Sequence, residues 1–227
     1  MEEIKTLIKD SFYTQPLMMA SAFLAIVIGL FRWKHLKQYQ ILIIYPMASL
    51  LQALIAYVSF IYVTVGKWLQ ADLISENIFI LVESLILYIF FNKIIFLRKA
   101  KLYMHIIFCM YILYFVSLWI FTNAFFLSAN KIYLIESAVM LFFCLLYLFQ
   151  LFKIPQSATL LQTLPFWMTI GCLFYFSSTI PLFVTDLIVG VHSNFYGLYS
   201  INFLAYAVLF LCTSKAFLCK PIVINAQ

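Results

Sequence analysis

Residues 77–97 read NIFILVESLILYIFFNKIIFL, and this stretch decides the fold. A helix of this length crosses about 30 Å of hydrocarbon, and only two of its side chains, Glu83 and Lys93, carry a formal charge. Lys93 lies near the end of the run, where a long side chain reaches the membrane surface. Apolar runs of similar length occur elsewhere in the chain. The sequence therefore predicts a polytopic membrane protein.

The composition excludes a soluble domain. The 227 residues are 66% hydrophobic and 10% charged, and the mean hydropathy is +1.06, whereas soluble domains carry about 25% charged residues. The formal net charge of +6 arises from short basic clusters between the apolar runs. That placement is typical of membrane topology and not of a nucleic-acid-binding face. We expect the lipid bilayer as a partner and no nucleic acid.

Seven spans are predicted, at roughly 16–33, 41–66, 77–97, 102–122, 132–152, 164–185 and 199–218. The connections between them are short, which leaves no room for a separate soluble domain. We therefore predict a single all-α domain, residues 1–227, folded as a seven-transmembrane-helix bundle. Any binding or chemistry is expected inside the bundle or at its short loops.

The distribution of charge predicts the orientation. One side of the membrane is assigned ten basic residues and no acid: Arg32, Lys34, Lys37, Lys93, Arg98, Lys99, Lys101, Lys153, Lys215 and Lys220. The other side is assigned four lysines and six acids: Lys5, Lys9, Lys67, Lys131, Glu2, Glu3, Asp10, Asp72, Glu76 and Asp186. Because basic residues accumulate on the cytoplasmic side, we predict an external N-terminus and a cytoplasmic C-terminus in the plasma membrane.

Two acids lie inside predicted spans. Glu83 is about two turns into the third span, and Glu136 is about one turn into the fifth. A charge in hydrocarbon costs at least about 2.5 kcal/mol, so such residues usually serve a function. Both helices are predicted to run inward, which places both carboxyl groups in the outer third of the bilayer. The structural alternative is a neutral carboxyl group hydrogen-bonded to a neighbouring helix.

Three further polar residues complete the predicted ligand-binding site. Gln52 shares a helix face with Tyr45 and Ser49. Asn202 lies in the seventh span, and Asp186 follows Pro181 near the outer end of the sixth. Together with Glu83 and Glu136, these residues predict a polar pocket that opens outward and holds a cation, a protonatable ligand or a lipid head group. Hydrogen bonding between helices is the alternative role for Gln52 and Asn202.

Cofactors and metals are not predicted. The cysteine spacings match no zinc or haem pattern, and the three histidines are too scattered for a three-histidine metal site. A retinal protein requires a lysine in the middle of the seventh helix, but Lys215 lies at the end of the seventh span. No nucleophile–histidine–acid set is visible either, and a non-enzymatic function is therefore favoured.

Four segments resemble the uncharacterised seven-helix membrane proteins of Bacteroidetes-type bacteria: NIFILVESLILYIFFNK, IESAVMLFFCLLYLFQLFK, LPFWMTIGCLFYFSSTIPLF and INFLAYAVLFLCTSKAFLCK. The family pattern has an acid in the third span, a glutamate at the start of the fifth and Pro-x-Trp-x-x-x-Gly in the sixth. The corresponding residues are Glu83, Glu136, Pro165, Trp167 and Gly171. The resemblance implies a location in the bacterial inner membrane. Members of this family resemble partners of histidine-kinase signalling, which favours a sensor.

The leading functional hypothesis is a small membrane sensor that binds a ligand in the outward pocket and contacts a membrane or cytoplasmic signalling protein. The alternatives are a structural subunit of a membrane complex and a lipid-head-group enzyme with Glu83 and Glu136 as an acid–base pair. A transporter ranks last, because Pro155-Gln156 lies in a loop and not in a span. The sequence carries no signal for a particular oligomeric state.

Overall fold

A computed structural model describes residues 2–61, 67–121, 130–153, 160–189 and 196–219. The described residues form eight α-helices: α1 (Glu2–Phe31), α2 (Trp33–Leu36), α3 (Ile44–Ile61), α4 (Lys67–Ile94), α5 (Arg98–Phe121), α6 (Asn130–Lys153), α7 (Leu164–Val189) and α8 (Tyr196–Leu218). Two 3₁₀ segments, Lys37–Ile43 and Leu160–Gln162, lie between helices. The prediction of an all-α chain is confirmed for the described residues.

Seven segments of the described chain are long and apolar enough to cross a membrane: Thr14–Phe31, Trp33–Ala56, Ile74–Ile94, Arg98–Leu118, Lys131–Lys153, Leu164–Thr185 and Ser200–Leu218. This confirms the predicted number of spans and identifies a multi-pass membrane protein.

The second span differs most from its predicted bounds of 41–66. It begins earlier, with α2 and a 3₁₀ segment. Lys37 has a positive φ of 43°, which ends α2 and separates it from the rest of the span. Residues 62–66 of its predicted range lie outside the described residues, as does residue 122 of the fourth predicted span.

The packing of the helices forms a closed ring. Helix α1 packs against α3 and α8, α3 against α4, α4 against α6, α6 against α7, and α7 against α8. Helix α5 packs against α6 and, less extensively, against α4. The first and last spans are therefore neighbours, and the interior of the bundle receives side chains from spans that are far apart in the sequence.

Apolar side chains lie both inside and outside this ring. Aromatic contacts fill much of the interior; for example, the rings of Tyr88 and Phe108 stack with centroids 3.9 Å apart. Large apolar side chains also cover the exterior, and Phe152 is 89% exposed and Leu113 69% exposed. A soluble protein rarely leaves such a surface uncovered, but lipid tails solvate it. Interhelical packing and hydrogen bonds, more than the hydrophobic effect, hold such a bundle together.

The basic connections converge at one end of the bundle, here called the basic end. Lys93 Nζ donates a hydrogen bond to the carbonyl oxygen of Gln38, which joins the first and third connections. Cys219 Sγ lies 3.9 Å from the carbonyl oxygen of Leu161, which joins the fifth connection to the end of α8. Residues 32–40, 92–101 and 153 and the end of α8 supply most of the basic side chains assigned to one side.

Gln150 of α6 fixes the break between α4 and α5 at the basic end. Its Oε1 accepts hydrogen bonds from the backbone N–H groups of Phe96, at 2.8 Å, and Leu97, at 3.3 Å. Its Nε2 donates to the carbonyl oxygen of Ile94 at 2.9 Å. Gln150 is buried, and it satisfies backbone groups that a helix terminus leaves without partners. We call this arrangement the Gln150 clamp.

Gly171 marks a very close approach of α7 to α8. A Cβ atom at this position would lie 2.8 Å from Cys212 Cβ and 3.0 Å from Leu209 Cδ1. Small residues at such contacts allow the backbones of membrane helices to approach closely. The structure thus gives Gly171, part of the sixth-span pattern noted in the sequence, a packing role.

We expect Gly171→Ala to destabilise the bundle by about 1–3 kcal/mol, the usual effect of overpacking a filled contact. The measurement is thermal unfolding of the purified protein in mild detergent. Ser177→Thr is the matched control, because it also adds one methyl group to α7 but at an exposed position. Equal unfolding temperatures for the two variants would contradict the close approach of α7 and α8.

Candidate functional site

Glu83 lies in the interior of the bundle with a tyrosine hydroxyl at each carboxyl oxygen. Tyr45 of α3 donates a hydrogen bond to Oε1 at 2.6 Å, and Tyr206 of α8 donates to Oε2 at 3.3 Å. Glu83 and Tyr45 are completely buried, and Tyr206 is almost completely so. A carboxyl group held by two hydroxyl donors is suited to carry a negative charge, because each oxygen has a partner.

Glu136 of α6 reaches the same region from the other side of α4. Its Oε1 lies 2.5 Å from Ser84 Oγ. Ser84 Oγ also lies 2.7 Å from the carbonyl oxygen of Ile80 and 3.0 Å from the hydroxyl oxygen of Tyr111 on α5. Glu136 Oε2 has no hydrogen-bond partner among the described residues, although it is buried. The two acids therefore have very different surroundings.

These side chains form two hydrogen-bonded groups that are linked through the backbone of α4, because Glu83 and Ser84 are consecutive residues, and together they make one polar set. We call it the acid network, and it consists of Tyr45, Glu83, Ser84, Tyr111, Glu136 and Tyr206. Its members come from α3, α4, α5, α6 and α8, and all of them are buried. The structure thus brings together the two acids that the sequence singled out, which lie in two different spans.

Glu83 and Glu136 lie at different distances from the ends of their spans, as the described residues define those spans. In the span Ile74–Ile94, Glu83 lies about 14 Å from Ile74 and about 16 Å from Ile94 along the helix axis, at ~1.5 Å per residue. It is therefore close to the middle of the described span. Glu136 lies near one end of its span, only about 8 Å from Lys131 by the same measure.

The two Glu-Ser pairs in α4 and α6 do not repeat one another structurally. Ser84 contacts Glu136, whereas Ser137 Oγ lies 3.1 Å from Thr179 Oγ1 on α7. Thr179 also donates a hydrogen bond to the carbonyl oxygen of Phe176. Ser137 therefore links α6 to α7 outside the acid network.

The other predicted site residues are not hydrogen-bonded to the two acids within the described part of the chain. Gln52 is half-buried in α3. Asn202 lies one turn before Tyr206 in α8, and its Oδ1 is buried without a hydrogen-bond partner among the described residues. Asp186 belongs to α7, but its side chain lies outside what the structure describes. The outward pocket predicted from these residues stays a prediction.

Sequence reasoning did not assign the tyrosines to the site. Tyr45 appears in the sequence only as a neighbour of Gln52 on one helix face, and Tyr206 and Tyr111 lie in apolar spans without a distinguishing pattern. The chain has 15 tyrosines, and tyrosine is common at membrane interfaces. The three that contact the acid network therefore cannot be distinguished from the others by sequence. Their positions follow from the packing of α3, α5 and α8 around α4.

Chemically, the acid network is equipped to exchange protons and to form hydrogen bonds. Among the described residues, no lysine, arginine or histidine is hydrogen-bonded to either carboxyl group. The same residues contain no group of three histidine, cysteine or acidic side chains positioned to hold a metal ion. No known protein-family model matches the chain, and no curated protein or solved structure matches it either.

We expect Ser84→Ala to destabilise the protein by about 1–3 kcal/mol, because it removes the only described hydrogen-bond partner of the buried Glu136 carboxyl group. Ser137→Ala is the matched control, since Thr179 keeps its bond to Phe176 and the expected loss is about 1 kcal/mol. Thermal unfolding in detergent measures both variants. A larger loss for Ser137→Ala would contradict the central position of Ser84.

Proposed function

We propose that this chain is a small sensor or signalling component of the bacterial inner membrane, with an external N-terminus and a cytoplasmic C-terminus. One observation carries the proposal: Glu83 and Glu136 come from different spans, are completely buried and belong to a network that joins five helices. Intramembrane acids mark functional sites by default. Membership of the Bacteroidetes-type family is part of this proposal and would give the sensor a signalling partner.

Transmission from the acid network to the basic end follows from the continuity of two helices. Helix α4 carries Glu83 and Ser84, and α6 carries Glu136. The same two helices meet again at the Gln150 clamp, where α6 holds the end of α4 and the start of α5. A ligand that changes the spacing of α4 and α6 at the network would therefore also displace the basic connections. Under the proposed orientation these connections face a cytoplasmic partner.

Burial argues against the alternative of a lipid-head-group enzyme. Such an enzyme needs an acid and a base within reach of substrate and water, but Glu83, Ser84 and Glu136 are completely buried. A purely structural subunit would also use buried polar contacts, because hydrogen bonds between membrane helices are common. The sensor and the structural subunit differ in whether the acids are needed for signalling or only for stability.

The test is purification from native membranes in mild detergent, with quantitative mass spectrometry of the proteins and small molecules that accompany the chain. We expect a stoichiometric signalling protein with the wild type. Glu83→Gln should change its recovery by roughly 5-fold or more, the lower range of allosteric coupling, because the amide keeps the size of the side chain but loses its charge. Ser177→Ala, at an exposed position of α7, should leave recovery unchanged.

Two outcomes would overturn the proposal. A partner whose recovery is the same with wild type, Glu83→Gln and Glu136→Gln would make the chain a structural subunit. A lipid or metabolite that is retained by the wild type and lost from Glu83→Gln, without any protein partner, would instead favour an enzyme or a carrier.

A further inference from the structure

The hydrogen bonds around Ser84 bear on whether the Glu136 carboxyl group is protonated. A serine hydroxyl has one hydrogen to donate and two lone pairs to accept. The carbonyl oxygen of Ile80, 2.7 Å from Ser84 Oγ, can only accept. If Ser84 donates there, Tyr111 and Glu136 must supply the hydrogens of the other two contacts, at 3.0 and 2.5 Å. All three contacts then hold one hydrogen each, and Glu136 is a neutral carboxylic acid that donates to Ser84.

Glu83 has the opposite arrangement. Both of its neighbours are hydroxyl donors, and an ionised carboxylate is a pure acceptor that satisfies both. The contact to Tyr45, at 2.6 Å, is short, whereas the 3.3 Å contact to Tyr206 is long for an O–H···O hydrogen bond. Tyr206 is thus the weaker partner, and its contact is the one that a change of charge on Glu83 affects most.

The groups that face Glu83 carry no positive charge in the described part of the chain. The titratable groups that interact electrostatically with it come from five helices: Tyr45 of α3, Tyr111 of α5, Tyr133 and Glu136 of α6, Cys172 and Tyr175 of α7, and Tyr206 of α8. An ionised Glu83 is therefore stabilised by hydroxyl donors alone. A buried charge without an opposite charge is readily neutralised by a proton.

A series of polar side chains leads from Glu83 towards the end of the bundle opposite the basic end. Glu76 is half-buried and lies two turns before Glu83 on the same face of α4, about 10 Å away. Tyr133 and Tyr175 lie within electrostatic range of both Glu76 and Glu83. The rings of Tyr175 and Tyr206 are 4.1 Å apart between centroids. Hydroxyl groups of Tyr133 and Tyr175 are thus electrostatically coupled to both the half-buried acid and the buried one.

We propose that Glu83 is a proton-binding site, and that Glu136 is the neutral acid that positions Ser84 beside it. The inference rests on the proposed function. The signal that the sensor would detect is the proton concentration on the side of the membrane opposite the basic end. Uptake of one proton converts the Glu83 carboxylate to a carboxylic acid. Its new O–H then donates to the Tyr206 hydroxyl oxygen, which reverses that hydrogen bond and frees the Tyr206 hydrogen. The change acts directly on the contact between α4 and α8.

Infrared spectroscopy of the purified protein in lipid vesicles tests the site, because a protonated buried carboxyl group has its own C=O stretching band. We expect one band that is present throughout the pH range and absent from Glu136→Gln. A second band should appear on acidification and be absent from Glu83→Gln. A titrating band that persists in Glu83→Gln, or a single state of Glu83 across the range in which the protein stays folded, would overturn the proposal.

Tyrosine variants keep the test decisive even if Glu83→Gln fails to fold. Tyr45→Phe removes a donor to the carboxylate, so the midpoint of the second band should move to higher pH by about one unit. Tyr88→Phe is the matched control: this tyrosine lies on α4, as Glu83 does, but its hydroxyl bonds to His105, and the midpoint should not move. Equal midpoints in the two variants would contradict the assignment to Glu83.

Replacing sodium with choline in the vesicle buffer separates a proton site from a sodium site. An unchanged midpoint supports proton binding, and a midpoint that depends on sodium overturns it. These measurements need no partner protein. If Glu83 titrates but no partner is purified, the proton site is retained and the signalling role is rejected. If a partner is purified but Glu83 does not titrate, the signalling role is retained and the proton site is rejected.

Discussion

The contact between Glu83 and the hydroxyl groups of Tyr45 and Tyr206 is the constraint on which the rest of the bundle depends. A carboxyl group in the middle of a membrane span needs hydrogen-bond partners from other helices, because hydrocarbon offers none. Tyr45 lies 38 residues before Glu83, and Tyr206 lies 123 residues after it. To supply both hydroxyl groups, the second, third and seventh spans must meet at one level of the bundle.

The same requirement explains the density of polar contacts around α4. Ser84 points about 100° around the helix from Glu83 and meets Glu136 and Tyr111, so α4 is joined to α6 and α5 at the level where it is joined to α3 and α8. Elsewhere, these helices meet mainly through aromatic and aliphatic side chains. Away from this level, the Gln150 clamp joins α6 to the end of α4, so the two helices have polar contacts at two separate heights.

The number of spans and the two central acids could be predicted from the sequence, because hydrophobic length and an isolated charge are local signals. The broken start of the second span could not, since it depends on the positive φ of Lys37. The tyrosine partners of Glu83 depend on which spans are neighbours, and an apolar pattern does not encode that order. The role of Gln150 could not be predicted either, because its partners are backbone groups between α4 and α5 and not side chains.

The Gln150 clamp has a consequence for the order in which the protein is assembled. The backbone groups of Ile94, Phe96 and Leu97 precede their partner by more than fifty residues. During synthesis, the turn between α4 and α5 is therefore made before the side chain that completes its hydrogen bonds. Until α6 inserts, that turn must remain near water or be shielded by the insertion machinery, since unpaired backbone groups are poorly tolerated in hydrocarbon. The fifth span, α6, therefore stabilises the turn between α4 and α5 only after both of those helices have been made.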